Sequence, residues 1–107
     1  MMRQSLQNIQ KNLIPTFRRH NIIKAIIFGS MARGDDSPKS DLDLILVQDT
    51  EKRFFDRYDS ILYELSCAVD GRDVEVLIYT PQELIAINQR SFIKTALQEG
   101  IIIYESN

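Results

Sequence analysis

Two stretches of the chain, Asp41–Val47 and Asp73–Tyr79, alternate with the two-residue period of a β-strand. In the first, Leu42, Leu44 and Leu46 leave one face, and Asp41, Asp43, Ile45 and Val47 leave the other. In the second, Val74, Val76 and Ile78 oppose Asp73, Glu75, Leu77 and Tyr79. Both faces therefore carry apolar residues, which requires a sheet covered on both sides. Ala25-Ile26-Ile27-Phe28, short and mostly β-branched, is closed by Gly29 and predicts another strand buried on both faces. Ile101-Ile102-Ile103-Tyr104, after Gly100, predicts a last short strand, internal or at the sheet edge.

Helical periodicity fills the intervals. Leu6, Ile9, Leu13 and Phe17 recur at three- and four-residue steps, with Pro15 inside the pattern as a point of kinking or early termination. Residues 29–34 turn the chain and open a short helix. Phe54, Tyr58, Ile61 and Leu65 predict a helix from Glu51 to Val69 whose stripe belongs to the core. Thr80-Pro81-Gln82-Glu83 supplies an N-cap, a proline at the first helical position and an acidic first turn, and helix follows to Gln98 with a break near Asn88. The expected order is α-β-α-β-α-β-α-β: an α/β (α+β) fold with a small mixed sheet of about four strands flanked by helices. At 107 residues, a single domain over 1–107 is expected, without room for a separate template-binding unit. No repeat, linker or low-complexity segment interrupts it.

Charge narrows the partners. Thirteen Lys and Arg residues are outnumbered by fifteen Asp and Glu, for a formal charge of -2, so nucleic acid is not expected as the main partner. Cys67 is the single cysteine, which excludes an internal disulfide; it is expected as a buried free thiol. The start, Met1 to Leu6, lacks the apolar stretch of a signal peptide, and no apolar run approaches the ~20 residues that span a bilayer. A cytoplasmic location without membrane association is expected.

The chemistry concentrates on the strands. Asp41 and Asp43, two residues apart, project from one face, where like charges repel unless one keeps its proton or a cation intervenes. Mg²⁺ takes oxygen ligands and is commonly held by one or two carboxylates plus substrate phosphates. If the third strand lies beside the second, Asp73 or Glu75 joins the pair, and alternation leaves both open. Three carboxylates suit a two-metal site. Upstream, Gly29 lets backbone N–H groups approach an anion, Ser30 adds a hydroxyl at a helix start, and Arg33, one turn on, brings a guanidinium. The bland alternatives are that Arg33 pairs with Asp35, Asp36 or Asp41, that Ser40 only shapes its loop, and that Lys39 is solvated. His20, alone in a polar turn, is not expected to ligate anything.

Taken together, Gly29-Ser30-Met31-Ala32-Arg33-Gly34 followed by Ser40-Asp41-Leu42-Asp43-Leu44 resembles the G-S-x-A-R-G…S-D-x-D-L signature of the minimal nucleotidyltransferases of the DNA polymerase beta-like superfamily. Gly71-Arg72-Asp73-Val74-Glu75-Val76 resembles that family's third-carboxylate strand, and Glu99–Glu105 its C-terminal strand. The resemblance implies the nucleotidyltransferase fold and transfer of AMP from ATP to a hydroxyl, with Mg²⁺, two ions, as cofactor. It implies that Gly29, Ser30, Arg33 and Ser40 bind nucleotide and that Asp41, Asp43 and Glu75 are the catalytic and metal-binding residues. Glu75 takes the third position by register, where the family usually has Asp. The resemblance further implies an antitoxin whose partner is a HEPN-domain toxin, modified on a tyrosine. Two other readings share the residues: a non-catalytic module that binds nucleotide or partner, and transfer to a small molecule, which normally needs a further domain.

Overall fold

The computed structural model describes residues 6–37 and 39–106. The expectation about a leader rests largely on residues 1–5, which lie outside the described residues, as does Pro38 of the loop before the second strand.

Helix α1 (Leu6–Arg19) leads into β1 (Ile22–Phe28), α2 (Ser30–Arg33), β2 (Leu42–Gln48), a single 3-10 turn (Phe54–Arg57), α3 (Ile61–Ala68), β3 (Val74–Tyr79), α4 (Pro81–Ile87), α5 (Ser91–Glu99) and β4 (Ile101–Glu105). The strands form one four-stranded sheet in the order β3-β2-β1-β4. β1 runs antiparallel to β2 and β4, whereas β2 and β3 are parallel. The sheet is therefore mixed, as expected, and the parallel pair spans the long crossover through α3.

Each face of the sheet has its own core. Ile9, Leu13 and Phe17 of α1 and Ile61 and Leu65 of α3 pack on Leu42, Leu44 and Leu46. On the other face Ile93 and Ala96 of α5 pack on Ile26 and Ile45, with Leu77 and Leu84 beside them. This second cover is shorter. It buries Ile45 but leaves Asp43 and Glu75 only partly covered or exposed, so the face carrying the carboxylates is open at one end.

Several expectations need adjusting. Strand β1 begins at Ile22 rather than Ala25. Lys24 interrupts the apolar run in the sequence, but its ammonium pairs with Glu105 of β4 at 3.4 Å, so a charged residue sits within the strand. Helix α1 continues past Pro15 to Arg19. Pro15 and Lys11, whose carbonyl loses its partner there, are both on the exposed side, where water can satisfy that group. The helix expected over 51–69 is only α3 at 61–68, preceded by the 3-10 turn. The reason is Arg57, whose guanidinium is turned inward. It donates to the Lys52 and Ile78 carbonyls at 3.0 and 3.1 Å, forms a bidentate pair with Glu83, and so holds 52–57 in a tighter turn. Phe55 and Leu62, next to that stripe in the sequence, are exposed, and Cys67 is exposed rather than buried. The cap at Thr80 and the break near Asn88 are as expected: Glu83 N–H donates to the Thr80 hydroxyl, and Glu83 accepts from Thr80 N–H. Among the described residues no helix is long and apolar enough to cross a membrane.

Candidate active site

The parallel register places Asp43 directly beside Glu75, and the antiparallel register places Asp43 beside Phe28. Three positions consequently line up across the end of the sheet: the turn at Gly29, the carboxylate of Asp43, and the carboxylate of Glu75. Asp43 and Glu75 stand side by side on adjacent strands, close enough for their carboxyls to hydrogen-bond when Asp43 is protonated. Partial burial, that bond, and the charges of Glu75 and Asp41 push the Asp43 carboxyl up from 3.8 to about 6, against a smaller opposing pull from Arg33. Asp73 precedes β3 and is exposed; its carbonyl accepts from Leu42 N–H at 2.8 Å. Of the two residues that alternation left open, Glu75 is the one that meets Asp43.

Gly29 makes this packing possible. Its backbone (φ 76°, ψ -154°) lies in a region only glycine occupies comfortably. A Cβ placed there would lie 3.3 Å from Asp43 Cγ and closer still to Oδ2, so the bare Cα is what lets the turn and the carboxylate coexist. Its carbonyl accepts from the Ala32 and Arg33 N–H groups, which winds the single turn of α2 starting at Ser30. Arg33 is exposed and donates to Asp35 Oδ2 at 3.2 Å, with Glu99 at 3.6 Å, so the expected pairing with Asp35 is present. Arg33 nevertheless lines a cavity of about 500 Å³ together with Gly29, Asp43, Ser91, Thr95 and Glu99. The Ser40 hydroxyl accepts from Ser37 N–H at 2.8 Å and acts within its own loop.

A second cavity, of about 450 Å³, opens on the β3 side. Phe28, Val76, Leu77 and Phe92 wall it, with Asp43 and Glu75 at its polar edge. Phe28 and Phe92 meet edge to face at 5.6 Å and stand between the two cavities. Sequence reading missed Phe92 and the Ser91, Thr95, Glu99 stripe of α5. The available signal was Phe92 standing off the buried Ile93/Ala96 stripe, an aromatic on the wrong side of an amphipathic helix. Arg72 was given no role either, being named only within the stretch that resembles the third-carboxylate strand. Its guanidinium is nearly inaccessible and donates to Asp36 Oδ2 at 2.9 Å and to the Ser37 and Ser40 carbonyls at 3.0 and 2.7 Å. It ties the loop that delivers Asp41 to the start of β3.

The donor set can be tested against a divalent cation. Among the described residues no three Asp, Glu, His or Cys side chains converge closely enough to enclose an ion alone. Mg²⁺ does not require that, because one or two carboxylates suffice when phosphate oxygens complete the octahedron. The register crowds the Asp43 and Glu75 carboxyls together and raises that of Asp43 to about 6, a conflict that a cation would relieve, with Asp41 near enough to add its charge. The residues fit.

A strand, a glycine turn and paired carboxylates on adjacent strands are a candidate site for transfer of a phosphoryl-linked group. The chain belongs to the family described as polymerase beta, nucleotidyltransferase, whose model matches residues 11–107. It is 33% identical over 75 residues to a candidate protein adenylyltransferase of Methanocaldococcus jannaschii, covering 70% of this chain and 78% of that one. Its fold matches a chain of a toxin–antitoxin complex crystallised with AMP-PNP, with TM-score 0.65 and 17% identity over 92% of this chain and 74% of that chain. It also matches a chain of the tri-AMPylated HEPN toxin–MNT antitoxin complex of Shewanella oneidensis, with TM-score 0.60 and 14% identity over 94% of this chain and 72% of that chain.

Proposed function

We propose that this nucleotidyltransferase moves AMP from ATP to a tyrosine hydroxyl of a HEPN-domain partner protein, with Mg²⁺ held by Asp41, Asp43 and Glu75. The observation that carries the reading is the alignment of Gly29, Asp43 and Glu75 across the end of the sheet. The related proteins named as a protein adenylyltransferase and as part of a complex with an AMPylated HEPN toxin support the choice of donor and acceptor.

The residues divide the work by position. Gly29 and Ser30 take the β- and γ-phosphates at the turn. Arg33, exposed and already at the cavity wall, exchanges Asp35 and Glu99 for a phosphate oxygen. The bound cation would draw charge from the phosphate oxygens and the leaving pyrophosphate. Glu75 accepts the proton of the attacking hydroxyl as oxygen bonds to the α-phosphorus and pyrophosphate departs. Ser40 and Arg72 contribute by fixing the loop before Asp41. The balance of charge, -2, agrees with a protein acceptor rather than a nucleic-acid one.

The test uses the purified chain, ATP, Mg²⁺ and a HEPN protein encoded beside it. Intact-mass spectrometry should show the partner gaining AMP, and Asp43→Asn should stop the gain. A partner whose mass does not change with the wild-type chain, while ATP still binds without Mg²⁺, would show a binding module instead.

A further inference from the structure

We infer that Glu99 is a gate at the phosphate end of the cavity between α2 and α5. It holds Arg33 while the site is empty, yields it to the triphosphate, and takes it back as pyrophosphate leaves. The inference rests on the proposed AMP transfer and adds a residue that limits how tightly phosphate is held.

Glu99 has a fixed place beside the phosphate turn. It is the last residue of α5, and Gly100 leads directly into β4. A Cβ on Gly100 would lie 2.5 Å from Ile26 Cγ2, 2.6 Å from the Ala96 carbonyl oxygen and 3.2 Å from that of Ile27. The end of α5 is therefore pressed against β1, just before that strand turns at Gly29. Arg33 hangs from the same turn, because α2 is wound onto the Gly29 carbonyl and closed by Gly34 N–H on the Ser30 carbonyl at 3.0 Å. When the guanidinium turns to a phosphate oxygen, the backbone of Glu99 cannot follow it.

Arg33 has two acidic partners, and they differ in where they stand. Its Nε donates to Asp35 Oδ2 at 3.2 Å, and its Nη1 lies 3.6 Å from Glu99 Oε1. Asp35 follows Arg33 by two residues, is 61% exposed and lies outside the cavity lining, so water takes up its charge on release. Glu99 lines the cavity with Gly29 and Asp43. Once it has lost Arg33, its carboxylate remains as a negative charge beside the phosphate chain.

The strengths suit a gate. The Arg33 and Glu99 side chains are 44% and 41% exposed. An exposed pair of this kind shifts an equilibrium by up to about fivefold, little enough for a triphosphate to displace. The same carboxylate then opposes whatever phosphate is bound. A triphosphate without its cation carries more negative charge and is opposed more. A site that must shed pyrophosphate at every turnover gains from such opposition, and Arg33 has a partner waiting when the product goes.

The experiment is isothermal titration calorimetry of the whole chain with ATP and, separately, with pyrophosphate, in Mg²⁺ and in chelator. Glu99→Gln should bind both ligands about three- to fivefold more tightly than wild type. The gain should be larger in chelator and should shrink in high salt. Asp35→Asn removes the same charge from the same arginine outside the cavity, and should gain less than about twofold. A residue needed only to brace α5 would show the opposite sign, with weaker binding on substitution. Glu99→Gln binding ATP no more tightly than wild type would overturn the inference, and so would an equal gain from Asp35→Asn. If none of the three chains binds ATP, the inference falls together with the proposed transfer. If Glu99→Gln shows its gain while no AMP reaches a partner protein, the gate stands and the transfer reading falls alone.

Discussion

Gly29→Ala separates backbone strain from side-chain contact, and the structure gives a size for each. At φ 76° and ψ -154° an alanine suffers strain of the order of 1–3 kcal/mol. Its Cβ also meets the Asp43 carboxylate, which would have to rotate away from Glu75 and give up their shared hydrogen bond, costing about 1–2 kcal/mol more. In an Asp43→Ala background the carboxylate is gone, and only the Cβ of residue 43 remains, 3.5 Å away, at ordinary contact distance. The second cost then vanishes while the first stays. A double-mutant cycle by urea unfolding in chelator at about pH 5, where folded Asp43 keeps its proton, should therefore show Gly29→Ala about 1–2 kcal/mol less harmful when Asp43 is already alanine. With an m-value of about 1–3 kcal/mol/M, that difference moves a midpoint by of the order of 1 M. Equal costs in the two backgrounds, within about 0.5 kcal/mol, would refute the contact between the turn and the carboxylate.

Other outcomes follow from single groups. The Asp43 carboxyl is raised to about 6, so the folded state keeps its proton longer than the unfolded chain. Its contribution is complete below about pH 3.8 and is lost as pH rises through about 6. In chelator the wild type should lose about 1–2 kcal/mol over that window, after discounting for partial exposure, and thermal unfolding of Asp43→Asn should show no such loss. Glu83 runs the other way: Arg57, then the Thr80 backbone, hold its carboxyl down at about 2. Its stabilisation is present above about pH 4.5 and fades as pH falls through about 2. Glu83→Gln should cost about 1–2 kcal/mol at neutral pH, since a buried guanidinium loses its counter-charge, and the gap from wild type should close in acid unfolding curves. Arg72→Ala leaves the loop before Asp41 without its three bonds. Hydrogen exchange at Ser40 and Leu42 should quicken, and KM for ATP should rise several-fold with circular dichroism unchanged.

Much of the fold was legible because period-two and period-3.6 patterns are written locally. Asp43 and Glu75 could be placed on strands, and Gly29 at a turn, from neighbours in sequence alone. Their meeting could not, because it depends on β2 and β3 pairing in parallel register across a crossover. The 3-10 turn at 54–57 escaped for a related reason: Arg57 reads as a surface residue until Ile78 and Glu83 arrive from elsewhere in the chain to receive it. Lys24 broke an apolar run that Glu105, at the far end of the chain, makes tolerable. Phe92 was overlooked because a helix is scanned for its buried stripe, and this residue's place is off it. Thr80–Glu83 was read correctly because a capping box is complete within four residues.

The pairing of β2 with β3 has a consequence for how such a protein can change over time. The separation of the two facing acids is set by the distance between adjacent strands, a constant of all sheets at about 4.8 Å. It owes nothing to the segment that connects them. The outer side of that connector, where Phe55, Leu62 and Tyr63 are exposed, can change without altering the spacing on which the chemistry depends, while Arg57, Ile61 and Leu65 stay held by the core. The outer surface of the crossover and the pair of acids are thus parts of the chain that can be rewritten independently.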